Sequence, residues 1–153
     1  MLENMEDTGP QLSGGDLDKL EVRLGYKMPD DFRRFLLKYN GGMPFPYYYD
    51  VQGWQEPHAA VNEFNGILPG LYNDIEVNLE NRKGRLPEGF IPIANDPGGN
   101  TLLLSLVDET LGKVYFWDHE NEPYERGVAL KDYPNIYWVA DSFNQLLEQL
   151  HEI

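Results

Sequence analysis

Leu17, Leu20 and Leu24 recur at spacings of three and four and are followed by Gly25, which predicts a helix from about Asp16 to Leu24 closed by the glycine. A second amphipathic stripe follows at once in Phe32, Phe35, Leu36 and Tyr39. Pro29 suits its first helical position, Asp30 and Asp31 complement the positive end of its dipole, and Asn40-Gly41-Gly42 ends it. The pattern then changes period. An irregular, proline-rich and aromatic approach leads into a short strand around Tyr47 to Val51, at an edge because of Pro46, and a weaker strand falls between Ala60 and Leu68. Asn73 with Glu76 three residues on predicts a capped, mostly polar surface helix from Asp74 to about Arg82, closed by Gly84. Phe90 to Ala94, Thr101 to Leu106 and Lys113 to Trp117 are apolar runs separated by turn residues, a meander of antiparallel strands. Ile136 to Val139 adds a strand, and Ser142 with Gln145 caps a last helix whose inner face is Phe143, Leu146, Leu147 and Leu150. Strands that cluster instead of alternating with helices predict an α+β fold: a single domain with a mainly antiparallel central sheet, flanked by an N-terminal helical hairpin and a C-terminal helix. Residues 1–12 carry no periodicity and are expected to form a flexible arm, leaving 13–153 as the domain.

Composition changes this picture mainly by exclusion. The 153 residues suit one core, and the absence of cysteine removes disulfide frameworks, thiolate nucleophiles and cysteine-based metal sites. No basic stretch followed by an apolar run opens the chain, which predicts a cytoplasmic protein. Charge is the strongest compositional signal: 12 basic against 26 acidic residues leave a net charge of −14. Such a surface repels nucleic acid and anionic membrane and attracts basic partners. From Tyr39 through Asn81 no lysine or arginine occurs, while Asp50, Glu56, Glu63, Asp74, Glu76 and Glu80 do. Arg33, Arg34 and Lys38 are expected on a solvated helix face, pairing locally with acids such as Asp30, and Arg82, Lys83 and Arg85 follow a helix end.

Beyond these generic features, LGYKMPDDFRRFLLKYNGG, then IPIANDPGGN, then GKVYFWDHE, then SF followed by LL occur in an order that resembles the SUKH superfamily of Smi/Knr-type domains, from about Asp16 to Leu150. Pro29, Asp31, Phe32, Asn40, Gly41 and Gly42 carry the first part of the resemblance, with Met28 where the family has leucine. Pro92, Ala94, Asp96, Gly98, Gly99 and Asn100, then Gly112, Val114, Tyr115, Trp117, Asp118, His119 and Glu120, carry the rest. The resemblance implies a single α+β domain. For short bacterial members it implies an immunity protein that binds and neutralises a polymorphic toxin.

Three motifs invite chemistry. The glycine-rich NDPGGN leads into a strand-like run instead of a helix, so it lacks the helix N-terminus that completes a phosphate loop and is expected to be a tight turn organised by Asp96 or Asn100. Asp118-His119-Glu120 puts carboxylates on both sides of an imidazole, but neighbouring residues of an extended strand face opposite ways. His58 and His151 lack ligand-like spacing to it, so neither a metal nor any cofactor is expected. Tyr47, Tyr48, Tyr49 and Trp54 run through a cation-free segment, where three consecutive tyrosines cannot all face one core. Aromatic anchors beside carboxylates suit a protein interface, so the expected partner-binding residues are Tyr47, Tyr48, Tyr49, Trp54, Glu56, Asp118, His119, Glu120 and Glu122. The functional expectation is a non-enzymatic protein that covers the active site of a basic toxin, such as a nuclease, with an acidic face. The alternatives are a regulatory scaffold module with no toxin partner, and a hydrolase using Asp118 and His119.

Overall fold

The computed structural model describes residues 1–127 and 129–153. In chain order the regular elements are β1 (Asn4–Glu6), α1 (Gly14–Leu24), α2 (Asp30–Tyr39), β2 (Met43–Phe45), β3 (Tyr48–Asp50), β4 (His58–Ala60), β5 (Glu63–Phe64), α3 (Ile75–Asn81), β6 (Phe90–Asn95), β7 (Thr101–Ser105), β8 (Val114–Trp117), β9 (Ile136–Ala140) and α4 (Phe143–Gln149). Strands β5 to β9 form an antiparallel meander in sequence order, and β1–β2 and β3–β4 form two antiparallel ribbons beside it. This is the expected α+β domain with helices at both ends.

The meander is built from apolar runs because both of its faces are covered. On one face Ile91, Ile93, Leu102, Leu104, Val114 and Phe116 pack against α1, α2 and α4. There Phe143 of α4 meets Phe32, Phe35 and Phe64 at ring-centroid distances of 5.0, 4.6 and 5.8 Å. The alternate residues Phe90, Leu103, Tyr115 and Trp117 form a second, smaller cluster under the loops that follow α3 and β8. Arg82 and Arg85 cover the Trp117 ring at 5.6 and 5.0 Å, so these two cations cap an aromatic as well as following a helix end.

Local capping follows the expected signals in part. Gly25 closes α1 at φ 81° as expected, while the helix starts at Gly14, two residues before the expected Asp16, because Ser13 caps it in a capping box with Asp16. Ser142 Oγ accepts from Gln145 N at 3.0 Å, while Gln145 Oε1 accepts a hydrogen bond from Asp141 N, so the reciprocal half of the box lands one residue early. Pro29 is the N-cap of α2 instead of its first helical residue. Arg33 pairs with Asp18 and Glu21 of α1, at 3.1 and 2.7 Å, not with Asp30. The expected cap Asn73 is displaced by Asp74, whose carboxylate accepts from Leu68 N and Val77 N at 2.8 and 3.0 Å. That helix is also not a surface element. Ile75 and Asn78 are buried, and Asn78 Oδ1 accepts from Asn95 of β6 at 3.3 Å, so a polar network replaces the apolar stripe that would have marked an inner face.

The largest difference lies at the chain start. Instead of a free arm, Asn4–Glu6 pairs with Met43–Phe45, Leu2 N donates to Leu147 O at 2.9 Å, and Gly9 N donates to Asn40 O at 3.0 Å. Three residues are too few for periodicity to announce a strand; the partner supplies the stability. The seam is organised by Asn40-Gly41-Gly42. Asn40 ends α2 in the left-handed region at φ 49°; its Nδ2 donates to Pro10 O at 2.9 Å and its Oδ1 accepts from Ile67 N at 2.8 Å. Gly42 sits at φ 123°, where a Cβ would lie 2.6 Å from Glu6 O. Gly42→Ala is therefore expected to cost about 2 kcal/mol or more through backbone strain and to separate β1 from β2. Denaturant unfolding measures the first effect, and faster limited proteolysis near the N-terminus the second.

Candidate functional site

Register decides which aromatic residues reach the surface. In β3 the side chains alternate, so Tyr49 points into the core at 1% exposure while Tyr48 and Asp50 face outward. Tyr47, just before the strand, is 40% exposed. In the β1–β2 ribbon Asn4 opposes Phe45 and Glu6 opposes Met43, which places all four on one outward face. Met43 and Phe45 are 40% and 42% exposed and lie two residues apart on that face, a contiguous apolar patch. Together with Tyr47 and Asn62 they line an open groove of about 600 Å³. A recess of about 390 Å³ adjoins it, sharing Phe45 and Tyr47 and reaching Tyr48, His151 and Glu152. Glu6 lines the groove and Glu152 the recess, and neither lining includes a lysine or arginine.

The remaining expected contact residues divide. Trp54 is not a free anchor: its ring packs 4.4 Å from Phe116 and its Nε1 donates to Asp118 Oδ2 at 3.0 Å. Asp118 is itself only 2% exposed. Burial pushes its carboxyl up, but donation from Asn121 Nδ2, Trp54 Nε1 and Glu120 N outweighs burial and holds it below the ordinary carboxylate value. His119 turns the other way, with Nδ1 2.6 Å from Asn100 Oδ1 and its ring against Gly99. Asp118 and His119 are thus engaged with different neighbours, the arrangement of a clamp and not of an acid–base pair. Glu120 is exposed, and Glu122 pairs with Arg85 at 3.0 Å. Glu56 lies exposed in the turn between β3 and β4. In the NDPGGN turn Asp96 Oδ1 accepts from Gly98 N and Asn100 N at 2.7 and 2.9 Å, and Gly99 supplies the positive φ, as expected for a structural turn. Asn100 spans from that turn to His119 and so joins the two motifs.

The cation-free stretch of sequence does not form one acidic face. Glu63 is buried beneath Tyr72, which donates to it at 2.7 Å; Asp74 is consumed as a helix cap; Glu76 pairs with Arg23 at 2.8 Å. Asp50 meets His58 and His151, two residues that sequence spacing could not bring together because one is set by the β3–β4 register and the other by a bridge to Tyr48. Sequence reasoning also missed Glu6, Met43 and Phe45, since the partner strand of β2 was expected to be unstructured.

An antiparallel meander bracketed by helices, with two short ribbons beside it and the 118–120 triplet bonded into neighbouring loops, defines a small α+β domain. The chain belongs to the SMI1 / KNR4 family (SUKH-1), whose pattern matches residues 11–149. It is similar to the SPbeta prophage-derived uncharacterized protein YokK of Bacillus subtilis (strain 168), at 28% identity over 149 residues, covering 88% of this chain and 72% of the relative. Among the described residues no helix is long and apolar enough to cross a membrane.

The clamp makes a pH-dependent contribution. Because the folded Asp118 carboxyl lies below its unfolded value of about 3.9, its stabilisation is complete above that value and is lost as pH falls through the folded one. Asp118→Asn is expected to cost about 1–3 kcal/mol at pH 7, measured by denaturant unfolding, and the gap to wild type should narrow as the pH drops below about 3.9.

Proposed function

We propose that this protein is an immunity protein that binds a basic toxin domain and blocks it by occupying the surface around its active site. Family membership supports a protein-binding role. The observation that carries the reading is the groove across β1–β2. Met43, Phe45 and Tyr47 protrude there beside Glu6 with no cation in the lining. Exposed apolar and aromatic side chains on a rigid ribbon provide desolvated anchors at low entropic cost. Tyr48 lies on the rim. Glu56 and Glu120 are exposed elsewhere and act in this reading through the field of the net −14 charge instead of as contacts. Tyr49, Trp54 and Asp118 hold the scaffold, and the reading assigns them no contact with the toxin.

Affinity and encounter then have separate sources. Anchors set the dissociation rate, whereas long-range charge sets the association rate. The test is to recover the protein's complex from its source organism, show that co-expression rescues cells from the captured toxin, and measure kinetics with the purified pair. Phe45→Ala and Tyr47→Ala should each weaken binding about 30-fold or more, mainly through faster dissociation. Raising salt from about 50 to 500 mM should slow association while leaving dissociation nearly unchanged. Absence of rescue, or full affinity in both groove variants, would refute the proposal.

A further inference from the structure

Asp50 and His58 of the β3–β4 ribbon converge with His151, which bridges to Tyr48 on the other side of β3. The backbone frame that brings them together is well defined. Asp50 and His58 are directly opposed in the antiparallel register, with Val51 N donating to Pro57 O at 3.0 Å beside them. On the other edge of β3, Tyr48 and His151 exchange both backbone hydrogen bonds, at 3.1 and 2.9 Å. Asp50 therefore lies on the middle one of three neighbouring extended segments, with an imidazole leaning over it from each side.

The geometry points to a binding site for a divalent transition-metal ion, zinc in particular, with Asp50, His58 and His151 as its protein ligands. His58 Nδ1 and His151 Nε2 lie 2.9 and 2.8 Å from the same oxygen, Asp50 Oδ1, and the three donor atoms are all within 4.8 Å of one another. A tetrahedral zinc ion with bonds of about 2.0–2.1 Å spaces its donors about 3.3 Å apart. Each Asp–His pair needs to open by only about half an ångström, and the two imidazole nitrogens to close by at most about 1.5 Å. These are adjustments within reach of side chains that are partly exposed, at 61, 37 and 34% for Asp50, His58 and His151.

The surroundings resemble a metal's second shell. His151 Nδ1 lies 2.9 Å from the Glu152 carbonyl oxygen, an acceptor that keeps the proton on Nδ1 and presents the Nε2 lone pair to the ion. The Tyr48 ring lies beside the same imidazole, its centroid 6.5 Å away. Two imidazoles and one carboxylate select zinc-like ions over magnesium or calcium, which demand more oxygen donors. Three protein ligands leave a coordination position facing solvent, open to water or to a donor atom from another molecule.

This inference concerns the isolated protein and stands or falls separately from toxin binding. Untagged full-length protein at about pH 8 is titrated with Zn²⁺ by calorimetry in about 5 mM Mg²⁺, which occupies non-specific carboxylates. Co²⁺ serves as a second probe, read by its visible absorption. One-to-one zinc binding is expected, and His58→Gln, His151→Gln and Asp50→Asn should each weaken it about tenfold or more. Circular dichroism checks that each variant is folded, and zinc-dependent shifts of the His58 and His151 ring resonances in wild-type protein provide a readout that needs no substitution. Absence of saturable binding at about 100 µM Zn²⁺, ring resonances that do not respond, or undiminished affinity in the folded variants would overturn the assignment.

Discussion

The crossing at Asn40-Gly41-Gly42 holds together the parts of this protein that are far apart in sequence. Asn40 closes α2 in a left-handed conformation and spends its side-chain amide on two other segments, bonding Pro10 O, Ile67 N and Ile67 O. The glycines let backbones approach where any side chain would collide: a Cβ on Gly41 would lie 2.9 Å from Phe64 O, and one on Gly42 2.6 Å from Glu6 O. A buried amide with both ends engaged is costly to disturb, and two Cβ-free positions in succession permit a contact that packing alone could not produce. Through this seam the β1–β2 ribbon is fixed against the edge of the main sheet, and with it the outward-facing Met43 and Phe45.

A sheet covered on both faces leaves the protein little freedom in where to place its excess of acid. Several carboxylates that look like surface charge in the sequence are structural acceptors instead. Asp74 caps α3, Asp118 gathers Trp54, Asn121 and a backbone amide, Glu63 receives the Tyr72 hydroxyl, and Glu21 accepts from both Met28 N and Arg33. Each exchanges hydration for directed hydrogen bonds, which is how a charge survives partial burial. The net charge of −14 is therefore not gathered by the cation-free segment into one acidic face, and in the proposed function it acts at long range while the groove supplies the contacts. The motif with the most chemical appearance, Asp118-His119-Glu120, ties β8 to the 96–100 turn and to Trp54, linking three loops that a meander would otherwise leave independent.

Much of the architecture was legible in the residues themselves. The Leu17, Leu20, Leu24 and Phe32, Phe35, Leu36 stripes, the Gly25 stop and the Ser142 cap, and the apolar runs of β6, β7 and β8 act through contacts within a few residues of each other, so period and punctuation identify them. The order of the family motifs was legible for the same reason, since short segments carry them. The polar helix α3 misled because its inner face is bonded and not greasy, and hydrophobic periodicity is silent about hydrogen bonds.

By itself, then, the sequence determined the α+β class, the helical hairpin, the meander, the terminal helix and the glycine-dependent turns, because local geometry and periodic burial are written at each position. Tertiary structure alone decided what reaches the surface and what meets there. Whether Tyr47, Tyr48 or Tyr49 faces solvent depends on a one-residue register, and Met43 and Phe45 become a groove only once β1 returns from the chain start to pair with β2. The meeting of Asp50, His58 and His151 needs a hairpin and a bridge across about a hundred residues. Such contacts arise from strand pairing at long range, which leaves no period in the chain to read.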